Sequence, residues 1–317
     1  MKILVTGSEG SLMQAVIPLL LAQGHTVVGV DNLYRYGHAS ERADKDYKLL
    51  QLDLSERNLD LCKGYDIVFL AAAKIYGVGG FNHYCADIIA DDTAIQGNIL
   101  KSCALHGVKR VVYISSSMVY ETCVQDLTHP VTEDLVNDCI LPKTDYGVSK
   151  LIGERMCQSF KKQYNIDYTI WRPFNIITPH ERHMSEQGFS HVFADFVKHL
   201  IIDRVNHLPI IGNGEQIRCF TWIDDIAAII AEHSLSDVTL NQTYNICNVE
   251  PISMKQLAEK IYQTTNPTTP LEYTTVKNYD NDVLVRVPSI DKLRTIIGNY
   301  EFKNVDYSIN QCVQHLQ

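Results

Sequence analysis

The sequence predicts an α/β protein, a doubly wound parallel sheet with a smaller, interleaved C-terminal α/β domain. Three observations predict it. Short continuous apolar runs recur between helix-length segments over the first 115 residues, as parallel strands buried on both faces do. The first run ends in a glycine turn that opens a helix, Gly7-Ser8-Glu9-Gly10-Ser11-Leu12. An acid, Asp31, closes the second run about 20 residues later.

The elements follow in order. Lys2–Thr6 reads as a strand and Leu12–Ala22 as a helix that contains Pro18 and is closed by Gly24. Thr26–Val30 is β-branched, and Tyr47–Leu54 and Ile67–Ala73 are further strands. A long helix over Asp87–His106 stops at Gly107, and Val111–Ser115 is a fifth strand. Tyr146–Tyr164 forms one helix and Tyr168–Arg172 a sixth strand. After Pro173 the chain becomes loop-rich to about Gly214, with one helix near Phe193–Asp203. Strands return at Arg218–Ile223 and Tyr244–Ile246, around a helix at Ile226–Ser234; a helix at Ser253–Thr264 leads the closing segment. No repeat or flexible linker is present. Residues 1–174 plus about 215–248 read as a Rossmann-type dinucleotide domain, and about 175–214 plus 249–317 as a substrate domain that shares its cleft.

Composition narrows the function. The 317 residues are 45% hydrophobic and 21% charged, which fits a soluble globular protein. The formal net charge is −9 and no Lys/Arg run occurs, so nucleic-acid binding is excluded. Apolar runs such as Ala15–Ala22 fall far short of the ~20 residues of a membrane span. A strand begins directly after Met1-Lys2, which leaves no room for a signal peptide. Nine scattered cysteines without a C-x-x-C pair read as free thiols in a reducing cytoplasm.

The glycine turn offers backbone N–H groups and a helix N-terminus to a dinucleotide pyrophosphate. Met13 stands where a third glycine is often found and is expected to loosen helix–sheet packing. Asp31 can accept both adenosine ribose hydroxyls and repels a 2′-phosphate, so NAD is favoured over NADP. Tyr146 and Lys150, four apart, share one helix face, and Ser115-Ser116-Ser117 follows the fifth strand at the edge where ligands bind. A free phenol has a pKa of about 10. A cation about 4 Å away at an effective dielectric of ~20 contributes roughly 4 kcal/mol, or about 3 pKa units. Lys150, helped by the positive nicotinamide ring, is thus expected to bring Tyr146 near neutrality as a general base, with Ser116 bonded to the same substrate oxygen.

These motifs resemble the extended short-chain dehydrogenase/reductase family, the nucleotide-sugar epimerases and dehydratases. The residues that carry the resemblance are Val5-Thr6-Gly7-x-x-Gly10, Asp31-Asn32-Leu33, Leu52-Asp53-Leu54, Ala71-Ala72-Ala73-Lys74, Ser115–Tyr120, Tyr146-x-x-x-Lys150, Arg172-Pro173-Phe174-Asn175, Gly212–Arg218 and Asp224-Asp225. The resemblance implies catalysis by Ser116, Tyr146 and Lys150. It implies an NAD site formed by Gly7, Gly10, Ser11, Leu12, Asp31, Asn32, Asp53, Leu54, Ala71, Ala72, Lys74, Ser115, Tyr146, Lys150 and Pro173. It also implies a nucleotide-diphosphate-sugar substrate held by Ser117, Asn175, His180, His191, Arg218 and Arg286, the two arginines on the diphosphate. A homodimer through the two long helices, as a four-helix bundle, is implied as well.

Met118 discriminates among reactions. Related dehydratases and decarboxylases carry an acid there and 3,5-epimerases a cysteine, whereas a thioether cannot transfer a proton. UDP-glucose 4-epimerase-like chemistry through a transient 4-keto sugar needs only Ser116, Tyr146, Lys150 and NAD. One segment, Ala71–Gly80, is instead similar to GDP-fucose synthase and GDP-mannose 3,5-epimerase. A 4-ketosugar reductase or 3,5-epimerase/reductase with His180 as acid is therefore the alternative. A 4,6-dehydratase and a non-catalytic NAD sensor rank lower. Gly77–Gly80 is expected to be a flexible loop over the sugar. The family's asparagine on the first long helix is replaced near Asp91-Asp92. His180-x-x-His183 lacks a suited carboxylate partner, so no metal is assigned.

Overall fold

The computed structural model describes residues 1–35, 46–123, 126–137, 141–181, 183–184, 188–279 and 282–316. The chain alternates β1 (Lys2–Thr6), α1 (Ser11–Ala22), β2 (Thr26–Asp31), β3 (Lys48–Gln51), β4 (Ile67–Leu70), α2 (Val78–His83), α3 (Cys85–His106), β5 (Arg110–Ile114), α4 (Asp145–Tyr164) and β6 (Asp167–Pro173). Short elements follow: β7 (Asn175–Ile177), α5 (Val192–Val197), β8 (His207–Ile211), β9 (Ile217–Trp222), α6 (Ile223–His233), β10 (Gln242–Ile246) and β11 (Pro251–Ser253). The chain closes with α7 (Met254–Gln263), β12 (Glu272–Val276), β13 (Val285–Arg286), α8 (Asp291–Ile297) and α9 (Val305–His315).

Seven strands form one parallel sheet in the order β10-β6-β5-β4-β1-β2-β3, the doubly wound fold expected. Alternation along β1 divides the core. Ile3 and Val5 enter one apolar cluster with Val16 and Ile17 of α1 and Ile226 and Ile230 of α6. Leu4 enters another with Ile95 and Ile99 of α3 and Cys157 of α4. Both faces are covered, which is why these strands read as unbroken apolar runs. Strand order reverses between β1 and β4, and the crevice at their carboxyl ends holds the candidate site. A second sheet, β11-β9-β13 with β7 on β9, and the pair β12-β8 stand beyond it over their own apolar core with α5, α7 and α9.

Several boundaries differ for physical reasons. Tyr47–Leu54 yields only Lys48–Gln51, because Leu52, Asp53 and Leu54 turn out to line the crevice. Ile67–Ala73 ends at Leu70, because the N–H groups of Ala71 and Ala72 donate to Thr6 Oγ1 at 3.1 and 3.2 Å. The helix near Phe193–Asp203 is Val192–Val197 followed by a wider turn over Lys198–Ile202. β7 and β8 lie where loop was expected; β8 pairs with β12 over 60 residues away, His207 opposite Glu272. Met13 does not loosen the packing: it is 2% exposed and fills the core under α1. Among the described residues seven cysteines are free thiols. Cys123 is disulfide-bonded, so the expectation of free thiols throughout fails there. Among the described residues no helix is long and apolar enough to cross a membrane.

One buried network joins α4 to the sheet behind the crevice. Arg172 donates to both oxygens of Glu154 at 2.8 and 2.6 Å, to Tyr120 Oη at 2.5 Å and to the Glu133 carbonyl at 2.8 Å. Ser115 Oγ donates to Glu154 at 2.5 Å. Both charged side chains are 3% exposed. Arg172→Met should therefore cost about 3–5 kcal/mol in urea unfolding, because it strands a buried carboxylate. Adding Glu154→Leu should recover much of that loss; no recovery in the double variant would contradict the ion-pair account.

Candidate active site

The crevice encloses about 630 Å³ and receives residues from the loops that follow β1, β2, β3, β4, β5 and β6 at the carboxyl edge of the main sheet. At its floor the Gly7 N–H donates to the Val30 carbonyl at 2.8 Å, and Gly7 adopts φ +67°. A Cβ there would lie 2.9 Å from the Ala72 backbone. Only glycine lets this turn press against the end of β4. Gly10 is the N-cap of α1, whose first turn has neither a side-chain cap nor an acid. Its N–H groups, with Ser11 and Leu12 beside them, thus remain available to an anion. The cradle fits a dinucleotide pyrophosphate.

Asp31 ends β2 and accepts from Glu9 N at 3.0 Å and Leu33 N at 2.8 Å. Asn32 accepts from Tyr34 N at 3.0 Å. Asp53 lies at the exposed rim, where bonds from Ser55 hold its carboxyl below the usual range. Leu54, Ala71, Ala72 and Pro173 line the crevice wall. Ser115 lines it too, although its hydroxyl is committed to Glu154. The Lys74 ammonium pairs with Asp91 at 2.5 Å, and its N–H donates to Asp92 at 2.8 Å.

Ser116, Tyr146 and Lys150 converge as the spacing suggested. Ser116 Oγ caps the 3₁₀ turn Ser117–Tyr120 by accepting from Met118 N at 3.2 Å and lies near enough to the Tyr146 phenol to pull its ionisation down. Thr144 starts α4, accepting from Gly147 N at 3.1 Å. The Lys150 ammonium donates to the Ile114 carbonyl at 2.9 Å and lies 5.6 Å from the Tyr146 ring centre. One expectation is corrected. Burial, and after it Asp92, push the Tyr146 phenol up in the ligand-free protein; Ser116 alone pulls it down. Lysine does not prevail, because a buried phenolate loses its hydration and the ammonium is aimed at a carbonyl. Burial pulls Lys150 itself down, against Asp92 and Glu154.

The substrate side is lined by Ser117, Asn175, His191, Arg218 and Arg286. Asn175 donates to the Cys219 carbonyl at 3.0 Å. Arg218 donates to Asp282 at 3.0 Å, and burial and Arg286 push it down. Arg286 donates to Met118 Sδ at 2.9 Å, while its buried Nε has no partner. Two close guanidiniums with a spare buried donor suit a diphosphate. His191 donates to the Glu181 carboxylate through Nδ1 at 2.8 Å. His180 does not join the site: it is exposed, its ring edge-on to His315 at 5.0 Å. The segment Gly77–Gly80 is no loose loop. It begins α2, and Gly77 and Gly79 donate to the carbonyls of Phe189 and Gly188, both at 2.8 Å. A Cβ on Gly77 would collide with Ser190 and Gly188.

Sequence reasoning missed several lining residues. Phe81 stacks on Tyr146 with centroids 4.3 Å apart and planes 10° off parallel. Glu121 is buried and accepts from Thr144 N and Oγ1 at 2.8 and 2.9 Å. Tyr34, Arg35 and Asp282 also face the crevice. Glu121, one 3₁₀ turn past Met118, carried a signal in the acid at i+3. Phe81 and Asp282 carried none, since their partners are 65 and 64 residues away.

A sequence profile of the NAD dependent epimerase/dehydratase family matches residues 3–247. GDP-mannose 3,5-epimerase of Arabidopsis thaliana is 26% identical over 82% of this chain and 68% of that protein. UDP-N-acetyl-alpha-D-glucosaminuronate decarboxylase of Bacillus cytotoxicus is 27% identical over 99% of this chain and 97% of that protein. The solved Thermus thermophilus UDP-glucose 4-epimerase complex with NAD superposes with a TM-score of 0.85 at 20% identity, covering 99% of this chain and 98% of that one; at that identity the likeness is one of fold.

Gly7→Ala should abolish NAD binding in calorimetry while the protein still folds, because the added methyl meets backbone and not a flexible side chain. Wild-type affinity in that variant would remove the turn from the cofactor site.

Proposed function

Starting from the fact that the chain belongs to the NAD dependent epimerase/dehydratase family, we propose that it is an epimerase of a nucleotide-diphosphate sugar, acting at C4 through a transient 4-keto sugar. The enzyme uses NAD. Gly7, Gly10, Ser11, Leu12, Asp31, Asn32, Asp53, Leu54, Ala71, Ala72, Lys74, Ser115, Lys150 and Pro173 would hold it. When bound it supplies a hydride acceptor and a positive ring whose charge favours the Tyr146 phenolate. Tyr146 takes the proton of the sugar hydroxyl and later returns it to the keto oxygen. Ser116 holds that oxygen by hydrogen bonding, and Lys150 donates to a ribose hydroxyl. Arg218 and Arg286 hold the diphosphate, and Ser117, Asn175 and His191 face the sugar nucleotide.

The observation that carries this reading is the meeting of Ser116, Tyr146 and Lys150 beside Met118, a side chain without a proton to transfer. Relatives of similar identity are named for different reactions, so overall likeness does not choose among them, and the residue at the reacting edge is what supports C4 chemistry. The reductase or 3,5-epimerase/reductase alternative loses its acid, because His180 packs against His315.

We also propose a homodimer through α3 and α4, supported by Ile89, Gly97 and Ile152 left half-exposed on helices that pack against each other. Seven free thiols among the described residues outweigh the one disulfide-bonded cysteine, Cys123, and on that ground we place the protein in the cytoplasm.

Incubation with UDP-, GDP-, dTDP- and CDP-sugars, without added reductant, should give an isomer of one of them; loss of water or a requirement for NAD(P)H would sink the proposal. Tyr146→Phe should lower turnover by about 10²–10⁴-fold, with little change in the Kd for the nucleotide sugar.

A further inference from the structure

Asp92 lies on α3 with no exposed surface. Its oxygens only accept: Oδ1 takes the Lys74 N–H at 2.8 Å and Oδ2 the Ser149 hydroxyl at 3.1 Å. Burial pushes the carboxyl up, and the Lys150 ammonium is first among the groups that pull it back, ahead of these two hydrogen bonds. An asparagine would serve both contacts equally. Its oxygen would accept from Lys74 and its NH₂ would donate to Ser149, whose proton can stay on the Tyr146 carbonyl at 2.9 Å. The hydrogen bonds therefore do not require a charge, and what the charge adds acts through space.

Ser149 precedes Lys150 and lies one helical turn after Tyr146, so the carboxylate is tied directly to the turn that carries both. The other groups facing that turn are few. Glu154 on α4 is committed to Arg172. Tyr113 of β5 places its ring 5.5 Å from the Lys150 ammonium, Ser116 favours ionisation of the phenol, and Phe81 of α2 is apolar. Asp91 is neutralised by the Lys74 ammonium. Glu121, like Asp92, has no cationic hydrogen-bond partner among the described residues, but it accepts from Thr144, ahead of Tyr146; Asp92 is the carboxylate bonded to Ser149, next to Lys150.

Accepting the assignment of Tyr146 and Lys150 made above, we infer that the Asp92 carboxylate is the buried counter-charge of the Lys150 ammonium and sets the pH range in which Lys150 and Tyr146 hold their protons. It is a positioning residue, acting through those two groups. An adjacent anion favours the protonated form of both, so its loss lowers both ionisations. The burial-driven fall of Lys150 is opposed first by Asp92, in keeping with this role.

The test is Asp92→Asn, with Asp92→Ser as a second neutral variant should the first not fold. NAD binding is followed by calorimetry across pH, and turnover across the same range. The alkaline break in NAD binding and the acid limb of turnover should each move down by about one pH unit or more, with far-UV circular dichroism unchanged. Breaks that stay at the wild-type pH in a folded neutral variant overturn the inference. The binding break does not depend on the reaction: if Tyr146→Phe keeps full turnover, the proposed chemistry fails while the shift in NAD binding still decides the role of Asp92.

Discussion

The bond from the Lys150 ammonium to the carbonyl of Ile114, the last residue of β5, fixes where the sheet ends and the reacting edge begins. A buried ammonium must find partners, and here the partner is a backbone group that cannot move without disturbing the sheet. The bond sets the depth of α4 against the crevice and, with it, the place of Tyr146. The first turn of α4 is held again by Thr144, whose hydroxyl caps the helix while donating to Glu121. Ser149 secures it from the other side through Asp92.

Charge is managed locally in a chain of net charge −9. Arg172 and Glu154, with Tyr120, the Glu133 carbonyl and Ser115, form a satisfied network behind the site that lends rigidity without offering a binding group. Arg218 and Arg286 differ in kind. They crowd each other, Asp282 balances only part of the pair, and one buried donor is left over. Such a pair becomes favourable when an anion arrives, so an acidic protein can take a diphosphate with two aimed side chains. The same logic makes the buried carboxylate of Asp92 costly unless a cation such as Lys150 stands near.

The crevice is closed from above by unlike means. Backbone bonds join Gly77 and Gly79 to the 188–189 segment, and Phe81 covers the face of Tyr146. Beside them Glu181 receives the His191 ring and lies 4.0 Å from Arg35. The Gly77 and Gly79 bonds and the Arg35–Glu181 approach join segments more than 100 residues apart, so the cover and the substrate-side elements are positioned by one another.

The parallel sheet, the glycine turn, Asp31 and the Ser116, Tyr146 and Lys150 set were legible in the amino-acid order because each rests on local rules: continuous apolar runs, a positive-φ glycine, and one helix face repeated every four residues. Met118 was informative for the same reason, since a thioether has no proton wherever it sits. The direction of the Tyr146 ionisation, the turning of His180 toward His315, the stacking of Phe81 and the pairing of Arg218 with Asp282 were not legible. Each depends on how much water is excluded and on which distant segment arrives. Desolvation and long-range contacts belong to the packed chain, and no spacing of residues encodes them.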